Sequence, residues 1–112
     1  SVESRVALIE SVYASNPRVE VRSYCSLTGD FAREVGACAI VRGVRSVVDF
    51  EYEQNMAMVN RNLYPSLSTV ILSTPAELAH ISSSVVRELL SFGRDVGEFL
   101  PEGVDINEYL NK

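Results

Sequence analysis

The chain has 112 residues, 46% hydrophobic and 22% charged, which predicts one globular domain within these residues rather than several. Ten Lys and Arg against fifteen Asp and Glu leave a net charge of −5, which argues against duplex nucleic acid or an anionic membrane as the main partner. Local basic sites remain compatible with that charge, and they concentrate early: residues 1 to 62 hold seven Arg and eight acids, whereas 63 to 112 hold two Arg, one Lys and seven acids.

The first segment, Ser1 to Ser15, places Val2, Val6, Ile9 and Tyr13 at helical spacing, and Asn16-Pro17 stops it. Val19 to Tyr24 alternates Val19, Val21 and Ser23 against Glu20 and Arg22, which predicts a strand with one wet face. Phe31, Ala32 and Val35 predict a short helix after Gly29-Asp30, with Gly36 as a left-handed cap. Ala37 to Val41 is small and apolar without alternation, as a parallel strand covered on both faces would be, and ends at Arg42-Gly43. From Ser46 to Leu63 the residues Val47, Phe50, Met56, Val59 and Leu63 give the longest helix, which Tyr64-Pro65 terminates. Thr69 to Ser73 is a further short buried strand. Ser82 to Phe92 is a helix striped with Val85, Val86, Leu89 and Leu90 and stopped by Gly93. A short acidic helix is expected around Ile106, Tyr109 and Leu110.

This alternation of helices and strands predicts an α/β fold, a doubly wound parallel sheet with helices on both faces. Ligands in such sheets bind beyond the carboxyl ends of the strands, so the loops after Tyr24, Val41 and Ser73 are the places to search. Cys25 and Cys38 have neither a CxxC spacing nor enough histidine partners for a zinc site, and both are expected as reduced thiols, Cys38 in the core. No apolar run approaches the roughly 18 residues of a membrane helix, and the first ten residues carry no signal or transit pattern, so the expected location is cytoplasmic.

Four features can carry chemistry. In Arg42-Gly43-Val44-Arg45 the glycine lets the backbone approach a ligand, and the two arginines can reach one anion from two sides. Equally open on the residues alone is a structural role, with Arg45 paired to Asp49 one helical turn on and Arg42 a solvated strand end. Ile81-Ser82-Ser83-Ser84 opens a helix. One serine serves as its cap, which leaves hydroxyls, free N–H groups and the dipole as a phosphate cradle with Arg87 one turn from Ser83, or else a plain cap. Asp49, Glu51 and Glu53 are either magnesium or nucleotide contacts or a solvated charged face. His80, the lone histidine, is a base or phosphate contact or an ordinary loop side chain. The only lysine is Lys112, so phosphate-binding charge within the chain has to be arginine.

The strings Ile40-Val-Arg-Gly-Val-Arg-Ser-Val-Val-Asp-Phe-Glu-Tyr-Glu53, Met58-Val59-Asn60-Arg61, Ile81-Ser-Ser-Ser-Val-Val-Arg87 and Phe99-Leu100-Pro101 together resemble bacterial phosphopantetheine adenylyltransferases, within the nucleotidyltransferase superfamily. The resemblance implies a Rossmann-like fold in which residues 1–112 form the carboxyl-terminal portion of a single nucleotidyltransferase-like domain. It also implies a reaction in which 4′-phosphopantetheine takes the adenylyl group of ATP, giving dephospho-coenzyme A and pyrophosphate, with Mg²⁺ accompanying ATP. The implied assembly is a homohexamer; coenzyme A itself is an implied ligand, and neither nucleic acid nor membrane is an expected partner.

Residue by residue, the resemblance assigns Thr28 and Arg42 to the phosphopantetheine side. Gly43, Val44, Arg45 and Glu53 go to ATP, as does the segment Leu78, Ala79, His80, Ile81, Ser82, Ser83 and Ser84. Arg45 and Ser83 support catalysis. No metal ligand is assigned. His80 stands where the family usually has an aromatic residue. The family's TxGH signature, whose histidine stabilises the transition state, and a catalytic lysine do not occur in these residues. They are expected on a strand, helix and loop preceding Ser1, without which this stretch is not expected to fold well alone. The alternative reading is a non-catalytic nucleotide-binding or oligomerisation module.

Overall fold

A computed structural model describes residues 1–110, in two compact units: Ser1–Tyr24 with Ile81 onward, and Cys25–His80.

In the first unit, α1 spans Val2–Val12. Ser1 caps it, its Oγ accepting the Ser4 N–H at 3.0 Å. Glu3 stands in the first turn, where its backbone N–H and the Ser1 hydroxyl hold its carboxyl below the usual range. The helix stops at Val12, short of the expected Ser15, and the chain turns with the Asn16 N–H on the Tyr13 carbonyl. Val19 to Tyr24 forms no strand, contrary to the alternation. Alternation specifies which side chains are wet but supplies no ladder partner, and both observed strands lie in the other unit.

The second long helix of this unit, numbered α4 in chain order, covers Ser83–Ser91, and Gly93 behind it takes φ 71°, the left-handed conformation that ends a helix without a Cβ penalty. Single 3₁₀ turns follow at Gly97–Phe99 and at Ile106–Glu108, the latter in place of the expected acidic helix. Val96 is this unit's most buried apolar residue.

The second unit is a β-α-β element preceded by a short helix. Helix α2, Thr28–Glu34, is followed by Gly36 at φ 73°. Strand β1 runs Ala39–Val44, helix α3 covers Val47–Leu63, and strand β2 runs Ser68–Ser73. The strands pair in parallel from Ala39 opposite Ser68 to Val44 opposite Ser73, confirming the predicted parallel α/β arrangement with a sheet of two strands. Helix α3, which makes the crossover, packs on both strands.

Two expectations about this sheet need correction. Arg42 and Gly43 lie inside β1, not after it, because the ladder continues to Val44 and the Thr74 N–H closes on the Val44 carbonyl at 2.8 Å. Nor are the strands buried on both faces. Val41 is 62% and Leu72 56% exposed, since with two strands and one crossover helix only the Ile40-Arg42-Val44 side of β1 is covered. Cys38 is correspondingly exposed rather than in the core; both thiols are free, as expected. The core of this unit is Ala32, Tyr64 and Leu67 with Ile40 packed against them, which joins α2, the end of α3 and β1.

Candidate active site

β1 delivers its last residues to the start of α3, and the turn between them is Arg45-Ser46. Ser46 caps α3 by accepting the Asp49 N–H at 3.1 Å. The Asp49 carboxylate turns back, its Oδ2 accepting the Arg45 backbone N–H at 3.1 Å and Nε at 3.3 Å. So the i,i+4 pair anticipated for Arg45 forms, partly exposed, at the positive end of the helix. Gly43, Arg45, Val48, Asp49, Tyr52 and Glu53 surround an open hollow of about 430 Å³ at this strand end.

Arg42 is no solvated strand end. Its Nε and one terminal nitrogen donate to the two carboxylate oxygens of Glu53, at 3.0 and 2.7 Å. Glu53, the third carboxylate of the acidic run, is 9% exposed, while Glu51 is solvated. The fork-to-fork geometry fixes the guanidinium plane, which a single-point contact does not. Arg42, Glu53 and Thr28 line one cavity of about 280 Å³ whose apolar wall includes Leu27, Ile40, Met56 and Tyr64. The two residues assigned to the phosphopantetheine side therefore share a cavity, although fourteen positions apart in sequence. Glu53 borders both this cavity and the hollow at Gly43-Arg45.

Sequence patterns missed a further part of the cavity. Tyr64 caps the end of α3, donates its hydroxyl to Asp30 Oδ1 at 2.6 Å, and lies with its ring against Gly29 so closely that a Cβ there would meet its Cδ2 at 2.5 Å. The Arg33 guanidinium sits 5.3 Å from the ring centroid. The hydrogen bond to Asp30, reinforced by burial and by that carboxylate's charge, pushes the Tyr64 phenol above its ordinary value. Gly29-Asp30 reads as a turn and Tyr64-Pro65 as a helix stop; only the absence of any side chain at Gly29, next to a helix start, hinted at a close approach.

The remaining assigned residues divide between the units. Leu78 ends the 3₁₀ turn Ala76–Leu78, Ala79 caps it and His80 follows, all after β2. Ile81, Ser82, Ser83 and Ser84 belong to the other unit. There Ser82 is the cap, its Oγ accepting the Val85 N–H at 3.2 Å, and Ser83 and Ser84 open the helix with exposed side chains. Arg87 donates to the Ser84 hydroxyl at 3.4 Å, so the added positive charge lies beside Ser84. Among the described residues no three or more His, Cys, Asp or Glu side chains converge to hold a metal ion, and Asp49 and Glu53 are already engaged by arginines.

A parallel β-α-β element with an arginine-flanked glycine at its strand end, and a serine-capped helix after the second strand, define a nucleotidyltransferase-type α/β protein. Residues 1–89 match the family model described as cytidylyltransferase-like. The chain is 48% identical over 106 residues to the phosphopantetheine adenylyltransferase of Bacteroides thetaiotaomicron, covering 95% of this chain and 70% of that protein. It is 53% identical over 105 residues to the enzyme of that name from Phocaeicola vulgatus (94% and 69% covered), and 53% over 103 residues to that from Porphyromonas gingivalis (92% and 67%). The chain belongs to the phosphopantetheine adenylyltransferase family.

Proposed function

We propose that the protein transfers the adenylyl group of ATP to 4′-phosphopantetheine, forming dephospho-coenzyme A and releasing pyrophosphate. The observation that carries this reading is the joining of Thr28, Arg42 and Glu53 in one part-apolar cavity, with Gly43 and Arg45 on a second hollow that Glu53 also borders. An acceptor whose arm alternates apolar gem-dimethyl and methylene groups with amides, and ends in a phosphate, matches a cavity of mixed apolar and polar lining that carries a fixed guanidinium.

In this mechanism Arg42, its plane held by Glu53, orients the acceptor phosphate. Arg45 meets the phosphates of ATP. Its partly exposed i,i+4 partner Asp49 contributes about 0.3–0.5 kcal/mol as an ion pair, so the guanidinium can leave it for a phosphate at little cost. Gly43 offers backbone to the nucleotide, with the buried Val44 behind it holding the Thr74 N–H, and Glu53 gives a wall shared by both hollows; Leu78 to Ser84, with Ser83 and Ser84 at the phosphate end, are assigned to ATP by the family resemblance alone. A phosphate monoester is already largely ionised at pH 7, so no general base is needed, and the protein's task is alignment and charge stabilisation. Magnesium enters as the counter-ion of ATP, neutralising phosphate charge, and no step is assigned to it.

A cytoplasmic homohexamer completes the proposal. In its support, no helix among the described residues is long and apolar enough to cross a membrane, and Val47, Val48, Leu63 and Leu72 leave much apolar surface to cover. The decisive experiment follows pyrophosphate release by the intact protein with ATP, with and without 4′-phosphopantetheine. Release that requires both supports the reading; ATP binding without turnover favours the non-catalytic module instead. Within the active protein, Arg42→Ala is expected to raise KM for phosphopantetheine at least tenfold, and Arg45→Ala to lower kcat more than it raises either KM. Unchanged rates for both would overturn these roles.

A further inference from the structure

Helix α2 is too short to hold itself. It has seven residues, and its N-cap Leu27 makes no side-chain capping bond, so neither cooperativity nor a cap holds the helix by itself. Tertiary contacts must do so, and they converge on Tyr64: the Asp30 carboxylate accepts its hydroxyl at 2.6 Å, Gly29 lies flat against its ring, and Ala32 joins it in the core. Tyr64 in turn is the cap of α3, the helix that carries Glu53 and Met56 on another wall of the same cavity. The two walls are thus fastened to each other just beyond Thr28.

We propose that the Tyr64-Asp30 hydrogen bond is a positioning clasp for the acceptor: it ties the start of α2 to the end of α3 and so sets the distance from Thr28 to the Arg42-Glu53 pair. The proposal rests on the assignment of this cavity to phosphopantetheine. Tyr64 and Asp30 are positioning residues, acting through Thr28 and the cavity's width, and they take no part in phosphoryl chemistry. Two features make the clasp selective for one substrate. It borders the Thr28 and Arg42 cavity, and neither residue lines the hollow at Gly43-Arg45 assigned to ATP.

The test uses the intact protein and initial rates of pyrophosphate release, titrating phosphopantetheine at saturating ATP and ATP at saturating phosphopantetheine. Tyr64→Phe keeps the ring against Gly29 and removes only the hydroxyl. It is expected to raise KM for phosphopantetheine about fivefold while kcat and KM for ATP stay within twofold. Asp30→Ala should do the same, the double variant should be no worse than either single one, and Asp30→Asn, which still offers an acceptor oxygen, should stay near the parent value. An unchanged KM for phosphopantetheine in Tyr64→Phe overturns the clasp. So does a loss confined to kcat, as less active protein would give, or an Asp30→Asn as impaired as Asp30→Ala. Should the parent protein release no pyrophosphate with this acceptor, the functional reading itself fails and the clasp with it. A normal parent with an indifferent Tyr64→Phe fails the clasp alone.

Discussion

Arg42 and Arg45 stand three residues apart on one strand and its turn, and each is paired with a carboxylate of α3, yet the two pairs are built differently. Asp49 lies one helical turn beyond Arg45, is partly exposed, and meets it at 3.3 Å. Glu53 lies eleven residues from Arg42, is almost buried, and binds it through both oxygens. The outer pair is local and exchangeable. The inner pair exists only because α3 folds back on β1, and with Gly29, Asp30 and Tyr64 it forms a set of long-range contacts around one cavity. Long-range contacts of this kind confer rigidity on the cavity of Thr28 and Arg42, whereas the turn holds Arg45 by a local, partly exposed contact.

The difference can be broken by substitution. The largest effect is expected from Gly29→Ala, because the new Cβ would overlap the Tyr64 ring, which its core packing and its hydroxyl bond to Asp30 hold in place. Overpacking of this degree costs about 3 kcal/mol; urea unfolding of the intact protein reads it, and a loss under about 0.5 kcal/mol would mean the contact relaxes freely. Glu53→Ala is expected to cost about 2 kcal/mol by the same measurement. That is less than the loss of a partner from a fully buried pair, because half of the Arg42 side chain remains in water. Asp49→Ala should cost about 1 kcal/mol, for its bond to the Arg45 N–H and its ion pair together, and the ion-pair share should vanish in 1 M salt. If Asp49→Ala proved as costly as Glu53→Ala, the contrast between the pairs would collapse.

The last effect is read in a narrow alkaline window. Because the Tyr64 phenol is raised above its ordinary value of 10.0, the unfolded chain loses this proton first. Its stabilisation is complete below pH 10 and falls away as pH climbs through the raised value. The difference between the parent and Tyr64→Phe in unfolding free energy, in which titrations common to both proteins cancel, should therefore shrink as pH climbs from 10 towards 12. A constant difference would show that Asp30 does not hold the proton.

Much of the fold was legible in local chemistry. Helix α3 with its stop at Tyr64, the run Val70-Ile71-Leu72, and Gly36 and Gly93 as left-handed stops all follow from periodicity and from the Cβ clash that only glycine escapes. Apolar runs misled where burial had to be inferred. Val41 and Cys38 carry the composition of a doubly covered strand but lie open, since composition states what a residue tolerates and not what covers it. The alternating segment Val19 to Tyr24 failed for a related reason: a strand is a relation between two segments, and only one of them is visible in a local pattern.

What the sequence by itself determined is the chemistry on offer: cationic charge that is almost all arginine, a glycine between two arginines, a serine run at a helix start, and a family membership carried by those strings. The Arg45-Asp49 pair belongs with them, because an i,i+4 spacing on a helix is already a distance. Only the tertiary structure decided that Glu53 serves Arg42, that Thr28 faces the same cavity, and that Gly29 and Asp30 are there for Tyr64. These contacts join residues from eleven to thirty-five positions apart, and a distance of that kind is set by how α2, β1 and α3 pack, not by any spacing along the chain.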